Sequence, residues 1–304
     1  MKYDVVIIGA GAAGLTSALY SARAGLSTVI LTKDFGGLAA TADRIMNWPG
    51  EYDIGGMELM NRMVEQVKKN DVEIKLSSAS EIKKEGNEFI VTTSDGEIKG
   101  KKVIYCAGTA HRKLNIPGEE EFHGKGVSYC ATCDGPFFKD KIVAITGGGN
   151  SALTAAILLS KNASKVYVIY RQAEFFRAEQ EWIDEVVNNP KIETLHEEEI
   201  AEILGDKFVT KIKLKNSGKE LDVNGVFVEI GSDPITDIVK DLVEMDDNYI
   251  KVDEKQETSV KGLFSAGDVT TASNRFRQLA TACSEGAIAA NSAHESIVKD
   301  KNNS

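Results

Sequence analysis

Residues 4–8, DVVII, form a short β-branched apolar run that stops at a glycine. GAGAAG (9–14) follows, then LTSALYSARAG with helical character, then STVILT (27–32). Strand, Gly-rich turn, helix and strand within roughly thirty residues predict one βαβ unit. The same succession returns in KIVAIT (141–146), GGGNSA (147–152), LTAAILLSKNA and KVYVIY (165–170). Between the two, residues 81–109 alternate as short antiparallel strands around a SDGE turn and end in an apolar strand, 103–107. HRKLNIPGEEEF (111–122), with its Pro-Gly turn, and GSDPITDIV (231–239) read as crossovers out and back. LFSAGDVT (263–270) is a buried strand ending in Gly-Asp. A helix rich in Ala and Ser is expected over 279–298, with the terminal KNNS frayed.

Two glycine-turn βαβ units predict an α/β protein with two Rossmann-like nucleotide-binding domains of three-layer ββα build, the second inserted into the first. The expected domains are 1–115 plus 243–304, and 116–242. The 304 residues suffice for two domains, and 42% apolar content suffices for two cores. A formal net charge of −10 excludes bulk attraction to nucleic acid. The acidic runs GEEEF (118–122) and HEEEI (196–200) read as solvated faces. The apolar stretch 5–20 is too short and Gly-rich to span a bilayer, and no leader pattern precedes it, so a cytoplasmic protein is expected.

Gly9, Gly11 and Gly14 fit GxGxxG: a tight turn, backbone N–H groups that approach a pyrophosphate at a helix start, and close helix–strand packing. The ribose-binding acid expected near Leu31-Thr32-Lys33 is absent, and Asp34 is out of register. Asp268, after Gly267, reads either as a helix cap or as a carboxylate facing a sugar hydroxyl. Gly147, Gly149 and Ala152 fit GxGxxA in the second unit.

The order and spacing of IIGAGAAG, NWPG (47–50), CAGT (106–109), CATCDG (130–135), GGGNSA, SAGDV (265–269) and RQLAT (277–281) resemble the low-molecular-weight, bacterial-type thioredoxin reductase family over nearly the whole chain. The resemblance implies non-covalent FAD along the first domain, in contact with Asn47, Thr109, Asp268, Arg277 and Gln278. It also implies a homodimer, NADPH on the inserted domain, and thioredoxin as substrate.

Four cysteines, 106, 130, 133 and 283, are too few for a secreted disulfide scaffold. Zinc asks for four ligands, and no histidine stands in ligand spacing with Cys130 and Cys133, so no metal is expected. Cys106 and Cys283 read as core residues. A dithiol with a two-residue spacer can attack a disulfide and then resolve the mixed disulfide. The resemblance implies that Cys133 lies against the flavin, that Cys130 attacks thioredoxin, and that Asp134 is the general acid; the alternative from sequence alone is a turn or cap residue. It further implies that rotation of the inserted domain moves the pair between buried and exposed positions; the Pro and Gly within 111–118 and 231–236 make these crossovers the candidate hinges.

One stretch departs from the family. Its 2′-phosphate clamp reads H-R-R and then F-R-A, whereas this chain reads YRQAEFFRAEQ (170–180). Arg171 and Arg177 remain; Tyr170 and Gln172 replace the histidine and one arginine. A lost charged hydrogen bond weakens binding by about 1.5–3 kcal/mol. The acids common after the loop alanine are also missing from LTAA (153–156). These departures resemble the ferredoxin-dependent flavin thioredoxin reductases, so reduced ferredoxin is the expected donor, with NADPH as the alternative. Arg112, Lys113, Lys125, Lys139 and Lys141 flank the cysteines and could form a basic patch for ferredoxin. A flavin-dependent dithiol oxidase and a non-catalytic flavin sensor are the readings from other classes.

Overall fold

The computed structural model describes residues 2–42 and 45–302. Along the chain, β1 (Lys2–Ile8), α1 (Ala12–Arg23), β2 (Thr28–Thr32), α2 (Gly56–Lys68), β3 (Glu73–Leu76), β4 (Ala79–Glu85), β5 (Glu88–Thr93) and β6 (Gly96–Tyr105) come first. The short β7 (Thr109–His111) leads to β8 (Val127–Ser128), α3 (Ala131–Asp134), β9 (Ile142–Thr146), α4 (Asn150–Ser160), β10 (Lys165–Tyr170) and α5 (Gln180–Val187). Strands β11 (Ile192–His196), β12 (Ile200–Gly205), β13 (Val209–Leu214), β14 (Glu220–Asp222), β15 (Gly225–Val228) and β16 (Ser232–Pro234) follow. The chain closes with β17 (Met245–Asp246), β18 (Tyr249–Ile250), β19 (Leu263–Ser265) and α6 (Leu279–Asn302).

Two compact units result: residues 1–110 with 234–304, and residues 111–233. Residues 234–242, grouped with the insertion in the sequence reading, pack into the first unit, and residues 111–115, grouped there with the first domain, belong to the second. Val239 and Val243 are buried in one of its cores, and the Tyr105 hydroxyl donates to Ile235 O at 2.9 Å.

In the first unit the sheet runs β3-β2-β1-β6-β5-β4. β6 pairs in parallel with β1 along most of its length, antiparallel with β5 by its first half, and in parallel with β19 by its end. Alternation along β1 separates two cores, because successive strand residues face opposite ways. Val5 and Ile7 join Leu15, Ala18 and Met60 on the helix side, while Val6 and Ile8 join Ile82, Phe89 and Val91 beneath the β4–β5 hairpin. Burying each such side chain stabilises by about 1.5–3 kcal/mol.

The second unit repeats the plan. Its parallel sheet runs β11-β10-β9-β15-β8, with a separate antiparallel sheet, β12-β13-β14. Val143 and Ile145 face the α4 and α5 side with Leu153 and Val186; Ala144 faces Ile200, Ile203 and Ile212 of the antiparallel sheet. α6 continues through Lys301 and Asn302, past the expected fray, and residues 303 and 304 lie outside the described residues. Among the described residues no helix is long and apolar enough to cross a membrane.

Candidate functional site

At the first glycine loop, Gly9 has φ +105°, and a Cβ there would lie 2.3 Å from Cys106 O. A Cβ on Gly14 would lie 1.9 Å from Gly9 O, so α1 can start this close to β1 only without a side chain. Gly11 differs: a Cβ there would meet no atom within 4 Å. The loop is therefore tightly packed beneath and open at Gly11, which precedes the first residue of a twelve-residue helix.

The other residues expected at the cofactor all belong to this unit. Asn47 Nδ2 donates to Gln278 Oε1 at 3.0 Å. A Cβ on Gly267 would lie 2.9 Å from the Ala13 methyl, which places Gly267 beside the start of α1. Burial pushes the Asp268 carboxyl up; the Arg277 guanidinium pulls it back down and Glu285 adds to the rise. Thr109 Oγ1 and Arg277 Nε are buried without a partner in the protein. Buried polar groups are ordinarily bonded, so these two orphans and the open Gly11 fit a large polar ligand such as FAD.

Further residues here escaped the sequence reading. Glu285, buried in α6, accepts from Gly267 N–H at 2.8 Å and from the Thr270 hydroxyl at 3.2 Å. The Tyr249 ring lies 4.2 Å from the Arg277 guanidinium carbon and 5.2 Å from that of Arg275. Just before Arg277, Ser273, Asn274 and Arg275 all have positive φ (49°, 53°, 59°), a run that costs backbone strain and is held by Arg275 on Asp246 at 2.9 Å.

In the second unit Cys130 and Cys133 are joined as a disulfide, with Cα atoms 5.3 Å apart. Cys130 precedes the single turn α3, and Cys133 N–H donates to its Sγ at 3.1 Å. A hydrogen bond to sulfur favours the thiolate form. Cys133 is exposed, while Cys130 and Asp134 are partly buried. Cys106 and Cys283 lie apart from this pair; burial pushes the Cys106 thiol up to about 12 and raises that of Cys283. Of the expected basic patch, Arg112 is bonded to Asp233 at 2.5 Å and Lys113 to Glu120, so two of its five charges are spent locally. Among the described residues no cluster could hold a metal ion.

The second glycine loop keeps the tight turn: Gly147 has φ +140°, and a Cβ there would lie 2.2 Å from Glu229 O. Gly149 is open and Ala152 fully buried. The surroundings differ from those of the first loop. A Cβ on Gly148 would lie 2.3 Å from Tyr170 Cε2, so the ring lies directly on the loop. Tyr170 stacks on Phe175 at 5.3 Å, and Phe175 meets His196 at 4.9 Å. Asn150 and Glu179 exchange two hydrogen bonds, 2.8 and 2.7 Å. Arg171 and Gln172 are exposed; Arg177, also exposed, has its guanidinium over the Phe176 ring at 5.3 Å.

A family model described as pyridine nucleotide-disulphide oxidoreductase matches residues 3–286. A thioredoxin reductase of Treponema pallidum (strain Nichols) is 39% identical over 297 residues, 96% of each chain. The solved thioredoxin reductase of Lactococcus lactis, in its FR conformation, matches with a TM-score of 0.93 at 36% identity over 98% of this chain and 99% of that one. A ferredoxin-flavin thioredoxin reductase from Clostridium acetobutylicum matches with a TM-score of 0.55 at 34% identity, over 98% and 99%.

Proposed function

The chain belongs to the pyridine nucleotide-disulphide oxidoreductase family, and we propose that within it the chain works as a thioredoxin reductase supplied with electrons by reduced ferredoxin. The observation that carries the reductase reading is the Cys130–Cys133 disulfide on a one-turn helix, followed directly by Asp134. FAD, when bound, supplies the two-electron relay between donor and disulfide. Gly9, Gly11, Gly14, Gly267 and Asp268 would hold its pyrophosphate and ribose end, with Asn47, Thr109, Arg277 and Gln278 completing its contacts.

The protein's own steps then balance. In the reduced pair, the Cys130 thiolate, stabilised by Cys133 N–H, attacks one sulfur of the thioredoxin disulfide. A Cys130–thioredoxin bond forms, the substrate disulfide breaks, and the departing thiolate takes a proton from Asp134. Cys133 thiolate then attacks the Cys130 sulfur. The intramolecular disulfide is restored, and the second thioredoxin sulfur leaves as a thiolate that takes its proton from solvent, so thioredoxin departs with two thiols. We assign attack to Cys130 although Cys133 is the more exposed, because the N–H bond favours charge on the Cys130 sulfur.

The donor assignment rests on Tyr170 lying on Gly148 and on Gln172 standing where the clamp needs a cation. NADPH is the second reading, favoured by the open Gly149 and the exposed Arg171 and Arg177. Anaerobic mixing of the oxidised, flavin-loaded protein with NADPH distinguishes them. We expect no bleaching at micromolar NADPH, and thioredoxin reduction once reduced ferredoxin is supplied; rapid bleaching overturns the donor. The proposed partners are thioredoxin, ferredoxin and a second copy of the chain, in the cytoplasm.

A further inference from the structure

The acidic run at 118–122 contains a group that the chemistry above does not use. Glu119 is only 2% exposed, unlike its neighbour Glu120. Its Oε1 accepts from Leu114 N–H and from the Tyr129 hydroxyl, each at 2.7 Å, and its Oε2 accepts from Asn115 N–H at 2.7 Å. Leu114 and Asn115 lie on the segment by which the chain passes into the second unit, and Asn115 is held at φ 56°. Tyr129 directly precedes Cys130. Its ring centroid lies 5.8 Å from that of His111 and 5.6 Å from that of His123. Cys130 N–H in turn donates to Ser128 Oγ at 3.0 Å. One buried carboxylate thus fastens the crossing segment on one side and the cysteine turn on the other.

Burying a carboxylate is costly unless its lone pairs are used. The two backbone N–H groups are local to Glu119 and would shape a turn by themselves. The Tyr129 hydroxyl is the bond that reaches the cysteines. We infer that Glu119 and Tyr129 are positioning residues, whose bond holds the backbone at Cys130 where its sulfur closes on Cys133. The inference rests on reading that pair as a redox couple. Holding the turn raises the effective concentration of one thiol at the other, which favours the disulfide over two free thiols.

The test equilibrates the full-length, flavin-loaded protein with mixtures of reduced and oxidised dithiothreitol. Each disulfide opened forms one dithiothreitol disulfide, and quenched thiols are counted by alkylation and mass. Tyr129→Phe keeps the ring packing and removes only the hydroxyl. We expect its equilibrium constant for closing the 130–133 disulfide to fall by about threefold, or about 14 mV toward a more oxidising couple at 29.6 mV per decade. The KM for thioredoxin should stay unchanged, and the thermal midpoint should fall by a few degrees as buried Glu119 loses one donor. Glu119→Leu, which removes both acceptor oxygens, should shift the constant in the same direction, and adding Tyr129→Phe to it should shift it no further, because a shared bond is lost only once. An unchanged constant in Tyr129→Phe overturns the inference, as does full additivity of the two variants. Should Glu119→Leu not fold, Tyr129→Phe alone decides. Failure of the redox reading looks different: the unmodified protein would then show no reversible opening at any dithiothreitol ratio.

Discussion

The two glycine loops have the same spacing and the same steric logic, yet their surroundings are opposite. Gly9 and Gly147 each make a turn that no Cβ could enter, and Gly11 and Gly149 each open onto space. The unit that holds the first loop contains buried polar atoms that the protein leaves unbonded, Thr109 Oγ1 and Arg277 Nε among them. Around the second, Asn150 and Glu179 satisfy one another, and Tyr170 presses its ring on Gly148. Among the described residues, every orphaned buried side-chain atom belongs to the first unit. A glycine fingerprint therefore specifies how a helix meets a strand; whether it holds a dinucleotide depends on the groups that surround it.

The most drastic way to break this comparison is a matched pair of methyl groups. Gly11→Ala and Gly149→Ala both add a Cβ into open space, so both variants should fold with unchanged thermal midpoints in the flavin-free form. Gly11→Ala should lose flavin affinity by about a hundredfold, since the backbone can no longer approach a pyrophosphate there. Gly149→Ala should change neither flavin content nor ferredoxin-driven thioredoxin reduction. A loss of turnover in Gly149→Ala would mean that the second loop is in use.

A somewhat smaller effect should come from rebuilding the second site. Tyr170→His with Gln172→Arg uncovers Gly148 and returns a guanidinium. One charged hydrogen bond, about 1.5–3 kcal/mol, corresponds to roughly one to two decades in affinity. Calorimetry with NADPH should show that gain for the double variant over the parent. No gain would mean that the clamp is not what separates the two loops.

How far the sequence revealed this contrast varies with the kind of signal. The βαβ units were legible because strand, glycine turn and helix each impose a period or a residue type locally. Tyr170 and Gln172 were legible as departures from a known motif. That Tyr170 covers Gly148 was not, because Phe175 and His196, which complete the stack, come from a different strand and a loop. Glu119 was misread as solvated because three successive glutamates look alike until the fold selects one to turn inward. Glu285 did carry a signal: it is the single charge between Leu279 and Ala293, a stretch otherwise of small and apolar residues. The antiparallel sheet β12–β14 and the left-handed run 273–275 have no comparably local mark.

The subtlest difference between the two loops is electrostatic. Each has an acid at the end of a neighbouring strand, and burial raises both. Asp268 has the Arg277 guanidinium to draw it back; at Glu229 burial acts with no such offset among the described residues and pushes it from 4.5 to about 7. Below pH 4.5 Glu229 is protonated folded or unfolded and contributes no penalty. As pH rises from 4.5 to about 7 the unfolded chain gives up its proton while the folded one keeps it, so stability falls across that window and levels off above it. Glu229→Gln removes that dependence. The displacement sets a ceiling of about 3 kcal/mol, and partial exposure to water brings the expected difference nearer to about 1 kcal/mol. The variant and parent should therefore melt together at pH 4.5, and the variant should melt a few degrees higher at pH 8. Asp268→Asn, made alongside, should show a weaker dependence, because Arg277 already offsets part of the burial. If the two variants respond alike, the charge at Arg277 is not what distinguishes the first loop from the second.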